Sequence, residues 1–400
     1  MSDRRVGLWL IGAFGGVAST ACLGLAALAR GLMDGTSLVT ALPLFDGLDL
    51  DKPGSLAIGG HDIRRSTYAQ AISELHQRSN VFDSDLIKAC LPDLERWTGN
   101  VRPGTVLNAG DTIARLAELP EVQRAETAQA AIERIQEDMV AFRKANRLDQ
   151  VVVANVASTE PPFALDEMHD SLEHLQPALG QRRTNVLPAS ALYAWAALDL
   201  GFPYINFTPS LGASFPAIAQ LAQERRAVYA GKDGKTGETL LKTVLAPMFA
   251  ARNLRILSWV GHNIFGNRDG QVLDDPRNKE SKIRTKDQVI TQIVGYKPQT
   301  HVSIEYIESL DDWKTAWDHI HFAGFLGVKM TMQFTWQGCD SILAAPLLLD
   351  LARLALLAQR RGEVGVLRHL ACFFKSPMGV AEHDFFKQFS LLEHYVHANK

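Results

Sequence analysis

The chain has 400 residues, 46% of them hydrophobic and 21% charged. That balance excludes a disordered chain, a collagen-like repeat and a disulfide-stapled miniprotein, and the length allows roughly two or three domains around a large core. Its 41 basic residues face 44 acidic ones, a formal net charge of -3 that argues against a nucleic-acid partner.

The 4 cysteines, Cys22, Cys90, Cys339 and Cys372, form no C-x-x-C pair, so neither a zinc ribbon nor a thioredoxin-like site is encoded. Their mostly apolar surroundings predict reduced, buried thiols and a cytoplasmic location.

From Val6 to Ala29 the chain carries no charge, and Arg4 and Arg5 precede it. A hydropathy window flags such a stretch as a signal peptide or membrane span. Its internal order predicts something else: an apolar strand from Val6 to Ile11, a glycine-rich turn from Gly12 to Gly16, then a helix ending near Arg30 and Gly31. The first strand and helix of a dinucleotide-binding domain are both buried, so both read as apolar.

A second strand is expected from Ser55 to Asp62, ending in a loop acid. A polar, helix-rich stretch follows from about Thr67 to Asn146, with Ala130, Ile132, Ile135, Met139 and Val140 at helical spacing. Val151 to Ala154 and Tyr204 to Asn206 read as strands, Ala189 to Leu200 as a helix, and Thr208 opens the loop after the last strand. Strands alternating with helices predict a doubly wound α/β sheet.

The texture changes near Gly231. A helix is expected from Leu240 to Arg252 and a strand from Leu254 to Val260, and period-two alternation marks Val302 to Ile307 and Val328 to Trp336. These predict a second, sheet-containing domain between about residues 240 and 340. Leu343 to Arg361 reads as an apolar helix whose Pro346, Asp350 and Arg353 mark it as core rather than a membrane span.

Several segments carry chemistry. Gly12-x-x-Gly15-Gly16-x-x-Ser19 suits close backbone approach to a pyrophosphate, but its spacing is not the standard G-x-G-x-x-G. Gly231 to Gly237 contains Gly-Lys-Thr, yet Tyr229 stands where a P-loop needs glycine, so no P-loop is encoded. Asn263 to Gly270 sets two side-chain amides and a carboxylate beside an apolar strand; it reads as a turn or as a polar cluster suited to a polyol or a ribose. Lys282 and Lys286 are four apart, so on a helix their stems share one face, as a solvated basic face or around a phosphate. Lys375 follows an apolar run. His319-x-His321 lacks the neighbouring carboxylates of a metal centre, and no metal site is expected.

Taken together, these segments resemble the myo-inositol-phosphate synthase family over most of the chain, in order. Gly12-x-x-Gly15-Gly16-x-x-Ser19 resembles its cofactor turn, Gly60-His61-Asp62-Ile63 its G-x-D-I loop, and Ala157-Ser158-Thr159-Glu160 its A-N-T-E segment. Gly231-x-Asp233-x-Lys235-Thr236-Gly237 resembles G-D-D-x-K-S-G, and Asn263-x-x-Gly266-Asn267-Arg268-Asp269-Gly270 resembles N-H-L-G-N-N-D-G. Ser281-Lys282-x-x-x-Lys286, Asp312-x-Lys314, Asp340-Ser341-x-Leu343-Ala344-x-Pro346-Leu347 and Phe374-Lys375-x-Pro377 fall on its later motifs. Departures occur at Val17 and Ala18, where the family shows Asn-Gly, and at Ser158, Lys232 and Arg268. The termini are shorter than those of eukaryotic members, which suggests a prokaryotic-type chain.

The resemblance implies an α/β fold: an NAD-binding Rossmann-like doubly wound domain (1–239), an inserted α+β catalytic and oligomerisation domain (240–340), and a segment returning to the first domain (341–400). It implies NAD as cofactor, a sugar phosphate as substrate, no nucleic-acid or membrane partner, and a homotetramer. The implied reaction is the NAD-dependent isomerisation of glucose 6-phosphate to inositol 3-phosphate. The alternatives are a related NAD-dependent enzyme acting on another sugar phosphate, a dehydrogenase that releases its oxidised product, and a non-catalytic NAD-binding protein.

The residues implied for catalysis are Lys282, Lys286, Lys314, Lys375, Asp233, Asn267 and Asp269. Lys282 would shuttle the C5 hydroxyl proton, Lys286 and Lys314 would hold phosphate or the developing enolate, and Lys375 would support the C1 oxyanion. Cofactor contacts are implied for Gly12, Phe14, Gly15, Gly16, Val17, Ala18, Ser19, Asp62, Ala157, Ser158, Thr159, Thr208, Asp233, Thr236, Asn267, Arg268, Asp269, Asp312, Asp340 and Ser341.

Overall fold

The computed structural model describes residues 4–181, 185–275 and 289–400. Seven parallel strands form the main sheet: β1 (Val6–Ile11), β2 (Leu56–Asp62), β3 (Val101–Pro103), β4 (Gln150–Asn155), β5 (Tyr204–Asn206), β6 (Val228–Gly231) and β11 (Gly365–Val366). Their spatial order is β11-β6-β5-β4-β1-β2-β3, so the order reverses between β1 and β4. A doubly wound sheet opens its ligand crevice at such a reversal, beyond the carboxyl ends of the strands.

The N-terminal apolar stretch is the centre of this sheet and not a span. All six residues of β1 are buried, and the strand pairs with β2 on one side and β4 on the other. The following helix, Gly16–Ala29, packs on one face of the sheet. The opposite face is covered by Ala128–Ala145 and Ala189–Asp199, whose apolar residues interlock with Trp9, Val151 and Val153.

Past β6 the chain enters the helix Gly237–Ala251 and a second sheet: β7 (Arg255–Phe265), β8 (Gln299–Tyr306), β9 (Trp313–Ala323) and β10 (Lys329–Cys339), in the order β10-β9-β7-β8. β7 and β8 run parallel, while β9 is antiparallel to both β7 and β10.

The strand expected to end at Val260 continues to Phe265, because Asn263 sits inside the ladder opposite Ile304 and Ala316. β9 and β6 were not expected from the pattern.

The helix Asp340–Arg360 returns the chain to the first sheet. It packs on the helix Gly16–Ala29 and on β4, β5 and β6, and β11 then pairs with β6. This is the one helix among the described residues long and apolar enough to cross a membrane; 72% of its most apolar window is buried inside the protein. Asp350 anchors it, accepting from the amides of Val39 and Thr40. The helix is therefore core, as its charges predict.

Candidate active site

The crevice at the β1/β4 reversal opens into a cleft of about 310 Å³. At its floor Gly12 adopts φ +81°, a left-handed conformation that L side chains rarely take. A Cβ there would stand 2.9 Å from the Ala157 Cα, so glycine lets the turn lie against the loop after β4.

Gly15 precedes the helix Gly16–Ala29, which has neither a side-chain cap nor an acid in its first turn. An uncapped helix start at the switch point is suited to a pyrophosphate. Gly16 closes the cleft on the far side, where a Cβ would fall 2.5 Å from Ser341 Oγ.

Asp62 ends β2 beside this turn. Its carboxylate accepts from the Phe14 amide at 2.6 Å and the Arg64 amide at 2.9 Å, which locks the loop where a ribose would lie. Burial raises its pKa, and Arg64 opposes that shift. Arg64 also donates to the Phe14 carbonyl.

On the other side, Thr159 Oγ1 donates to Asp269 at 3.3 Å. Asn267 starts the short helix Arg268–Leu273, accepting from the Gly270 amide at 3.0 Å and donating to Asp312 at 3.1 Å. Asp312 also accepts from Cys339, from the Ser341 amide and from the Ser341 hydroxyl. Burial pushes its pKa up, and Asp340 adds to the rise.

Among the described residues two lysines face the cleft. Lys314 leaves β9 with its ammonium 3.6 Å from Asp340 and 5.0 Å from the Phe265 ring centroid. Lys375 donates to Asp233 at 2.8 Å. Asp233 has φ +64°, and the second oxygen of its carboxylate is buried with no hydrogen-bond partner among the described residues.

The cleft lining includes Gly12, Phe14, Gly15, Gly16, Val17, Asp62, Ala157, Ser158, Thr159, Thr208, Asp233, Thr236, Asn267, Arg268, Asp269, Asp312, Lys314, Asp340, Ser341 and Lys375. Ala18 and Ser19 do not line it. Their first-turn positions face the core, where both are fully buried. Lys282 and Lys286 lie outside the described residues. His319 and His321 stand on β9, and among the described residues no three His, Cys, Asp or Glu side chains are grouped to hold a metal ion.

Sequence reasoning passed over several groups in or beside the cleft. Glu160 is buried in its wall, accepting from the Ser190 amide at 2.8 Å and from the Ser190 hydroxyl. Burial raises its pKa to about 7. Thr239 Oγ1 and Trp336 Nε1 are buried without a hydrogen-bond partner among the described residues. Trp336 Nε1 lies 3.6 Å from where a Cβ on Gly237 would be. Lys235, in the motif with Asp233, turns away from the cleft to Gln388 on the C-terminal helix Phe385–Ala398.

The site therefore joins a nucleotide cradle to a pocket holding at least two ammonium groups, each beside a carboxylate. Such a pocket can bind an anion, stabilise an oxyanion and move a proton.

A family model described as myo-inositol-1-phosphate synthase matches residues 6–397. An inositol-3-phosphate synthase 1 of Bacteroides thetaiotaomicron is 32% identical, with 97% of this chain and 94% of that protein aligned. A relative from Dictyostelium discoideum is 31% identical over 82% of this chain and 64% of its own length. The crystal structure of inositol-3-phosphate synthase from Caenorhabditis elegans superimposes with a TM-score of 0.88 at 25% identity, covering 99% of this chain and 86% of that one. A myo-inositol-1-phosphate synthase-related protein from Thermotoga maritima gives a TM-score of 0.79 at 25% identity, over 98% and 99% of the two chains.

Proposed function

The chain belongs to the myo-inositol-1-phosphate synthase family, an NAD-binding enzyme family, and from that premise we propose that it isomerises D-glucose 6-phosphate to 1D-myo-inositol 3-phosphate. The substrate would be oxidised at C5, cyclised by attack of C6 on the C1 aldehyde, and reduced again at C5. Bound NAD supplies reversible hydride acceptance at C5, so it is recycled rather than consumed.

The observation that carries this reading is the placement of Lys314 and Lys375 in the same cleft as the uncapped nucleotide turn. A C5 ketone acidifies the C6 proton, and ammonium groups in a closed site stabilise the enolate and alkoxide charges that follow. Lys375, held by Asp233, supports the C1 oxyanion. Lys314, beside Asp340, meets the enolate or phosphate. The C5 proton shuttle is assigned to Lys282, with Lys286 at the phosphate; these two roles rest on the family motif. Asp233, Asn267 and Asp269 position the nicotinamide end.

The phosphate is best received at the start of the helix Gly237–Ala251. That helix has no side-chain cap, and the Thr239 hydroxyl and Trp336 indole N–H, without a hydrogen-bond partner among the described residues, supply donors beside its first amides. The nucleotide-binding unit would comprise 1–239 and 341–400, with 240–340 carrying catalysis and subunit contact. The exposed Trp313 and Trp317 on the second sheet support a homotetramer. The 4 buried free cysteines support a cytoplasmic enzyme.

The test is mass spectrometry of the product formed from glucose 6-phosphate with catalytic NAD. Inositol phosphate without net NADH supports the reading. Net NADH indicates a dehydrogenase, and nucleotide binding without turnover indicates a non-catalytic homologue.

A further inference from the structure

One buried cluster, at the start of the helix Gly237–Ala251, has no part in the roles assigned above. Glu238 lies in the first turn of the helix Gly237–Ala251, and its carboxylate is 2.6 Å from the Lys242 ammonium, one turn on; both side chains are 1% exposed. The other Glu238 oxygen accepts from Asn263 Nδ2 at 2.6 Å. Asp318 on β9, also buried, accepts from Trp259 Nε1 at 2.6 Å. A Cβ on Gly261 would fall 2.4 Å from Glu238 and 3.1 Å from Asp318, so the two acids flank one point on β7.

An acid in the first turn of a helix satisfies the positive end of the dipole, which is the feature an incoming anion needs. Glu238 directly follows Gly237, so its carboxylate stands within roughly 10 Å of the amides assigned to the phosphate. Water does not screen it, because it is buried. Left alone, that charge would oppose phosphate entry. Lys242 removes the conflict.

We infer that Lys242 is a positioning residue for the substrate phosphate: its ammonium neutralises Glu238 and keeps the helix start electropositive. The inference rests on the reading that this helix start receives the phosphate. It makes the buried pair a determinant of substrate affinity, with no contact between Lys242 and substrate.

The experiment compares wild type with Lys242→Met, Glu238→Gln and the double variant, as full chains with NAD bound, using glucose 6-phosphate. Lys242→Met is expected to raise KM at least tenfold, change kcat less than about threefold, and leave NAD affinity unchanged. The double variant is expected to restore KM to within about threefold of wild type, because it removes the Glu238 charge together with its counter-charge.

A purely structural role predicts a different split: a lower melting temperature and weaker NAD binding in Lys242→Met, with the KM for glucose 6-phosphate unchanged in the folded protein. If Lys242→Met folds and keeps a wild-type KM, or if the double variant is no better than the single one, the inference is wrong while the phosphate site stands. Should Lys242→Met fail to fold, the double variant decides alone. A KM near wild type supports the inference, and a tenfold rise overturns it. Wild type that shows no saturation with glucose 6-phosphate overturns the phosphate site and the inference together.

Discussion

The Lys375 side chain and main chain both bind Asp233: the ammonium donates to the carboxylate at 2.8 Å, and the Lys375 amide donates to the Asp233 carbonyl at 2.7 Å. The double tie fixes the direction of a buried ammonium at the cleft wall. Replacing Lys375 by Ala should lower kcat/KM by roughly a thousandfold or more, since an oxyanion loses a charged donor in a closed site. Asp233→Asn should cost about 3 kcal/mol of stability as well, because it leaves the ammonium buried with its partner's charge gone. Product formation and thermal melts check both. Near-wild-type turnover of Lys375→Ala would remove the lysine from the mechanism.

Glu160 makes stability depend on pH. Its folded pKa of about 7 lies above the ordinary 4.5, chiefly because burial penalises the carboxylate. Folding therefore takes up a proton between these values. The stabilisation is complete below about 4.5 and is lost as pH rises through about 7. Asp350, raised to about 6 by burial, adds a loss of the same sign. Glu160→Gln should flatten the fall in melting temperature across this window, and the Asp350 share should persist. Parallel curves for variant and wild type would refute the assignment.

Much of this architecture is legible in the sequence, and the failures have physical causes. The buried strands Val6–Ile11 and Tyr204–Asn206 announce themselves by apolar runs between turn residues. β9 does not, because its inward face carries Asp318 and its cleft end carries Lys314, which break the alternation. β3 and β11 are edge strands of three and two residues, too short to show a period. Asn263 reads as a turn residue, but Glu238 satisfies its amide inside a strand. At the site, glycine spacing locates the cradle. Contact with it does not extend to Ala18 and Ser19, which the helix rotates into the core. Glu160 and Thr239 lie in motif segments and Trp336 in none, but what sets all three apart is burial beside groups distant in sequence, which no local pattern shows.

The cofactor turn predicts a clean defect. Gly12 at φ +81° has the Ala157 backbone 2.9 Å from its would-be Cβ. Gly12→Ala must therefore strain the turn or push the β4 loop away, at a cost of about 1–3 kcal/mol. Displacing the loop shifts Ser158 and Thr159 in the cleft wall. NAD affinity should fall at least tenfold in a titration, while the second sheet, which makes no strand pairing with β1, keeps its fold. Unchanged NAD binding would mean that the turn is not the pyrophosphate cradle.

The proposed tetramer makes its own demand on the second sheet. The β9–β10 hairpin tip exposes Phe325 at 87% and Leu326 at 84%, and Trp313 and Trp317 on β9 are 40% and 37% exposed. Trp317 stacks on His262 at 5.7 Å with an interplanar angle of 11°, so its ring is held in place. Exposed apolar groups this large on one sheet and its hairpin are typical of a subunit contact. Replacing Phe325 and Leu326 together by Ser removes apolar surface from a turn with no core role. The expected outcome is a lower assembly state by light scattering at micromolar concentration, with little change in the melting temperature of the separated subunit. An unchanged mass would place the contact on another surface, and a monomeric wild type would exclude the tetramer.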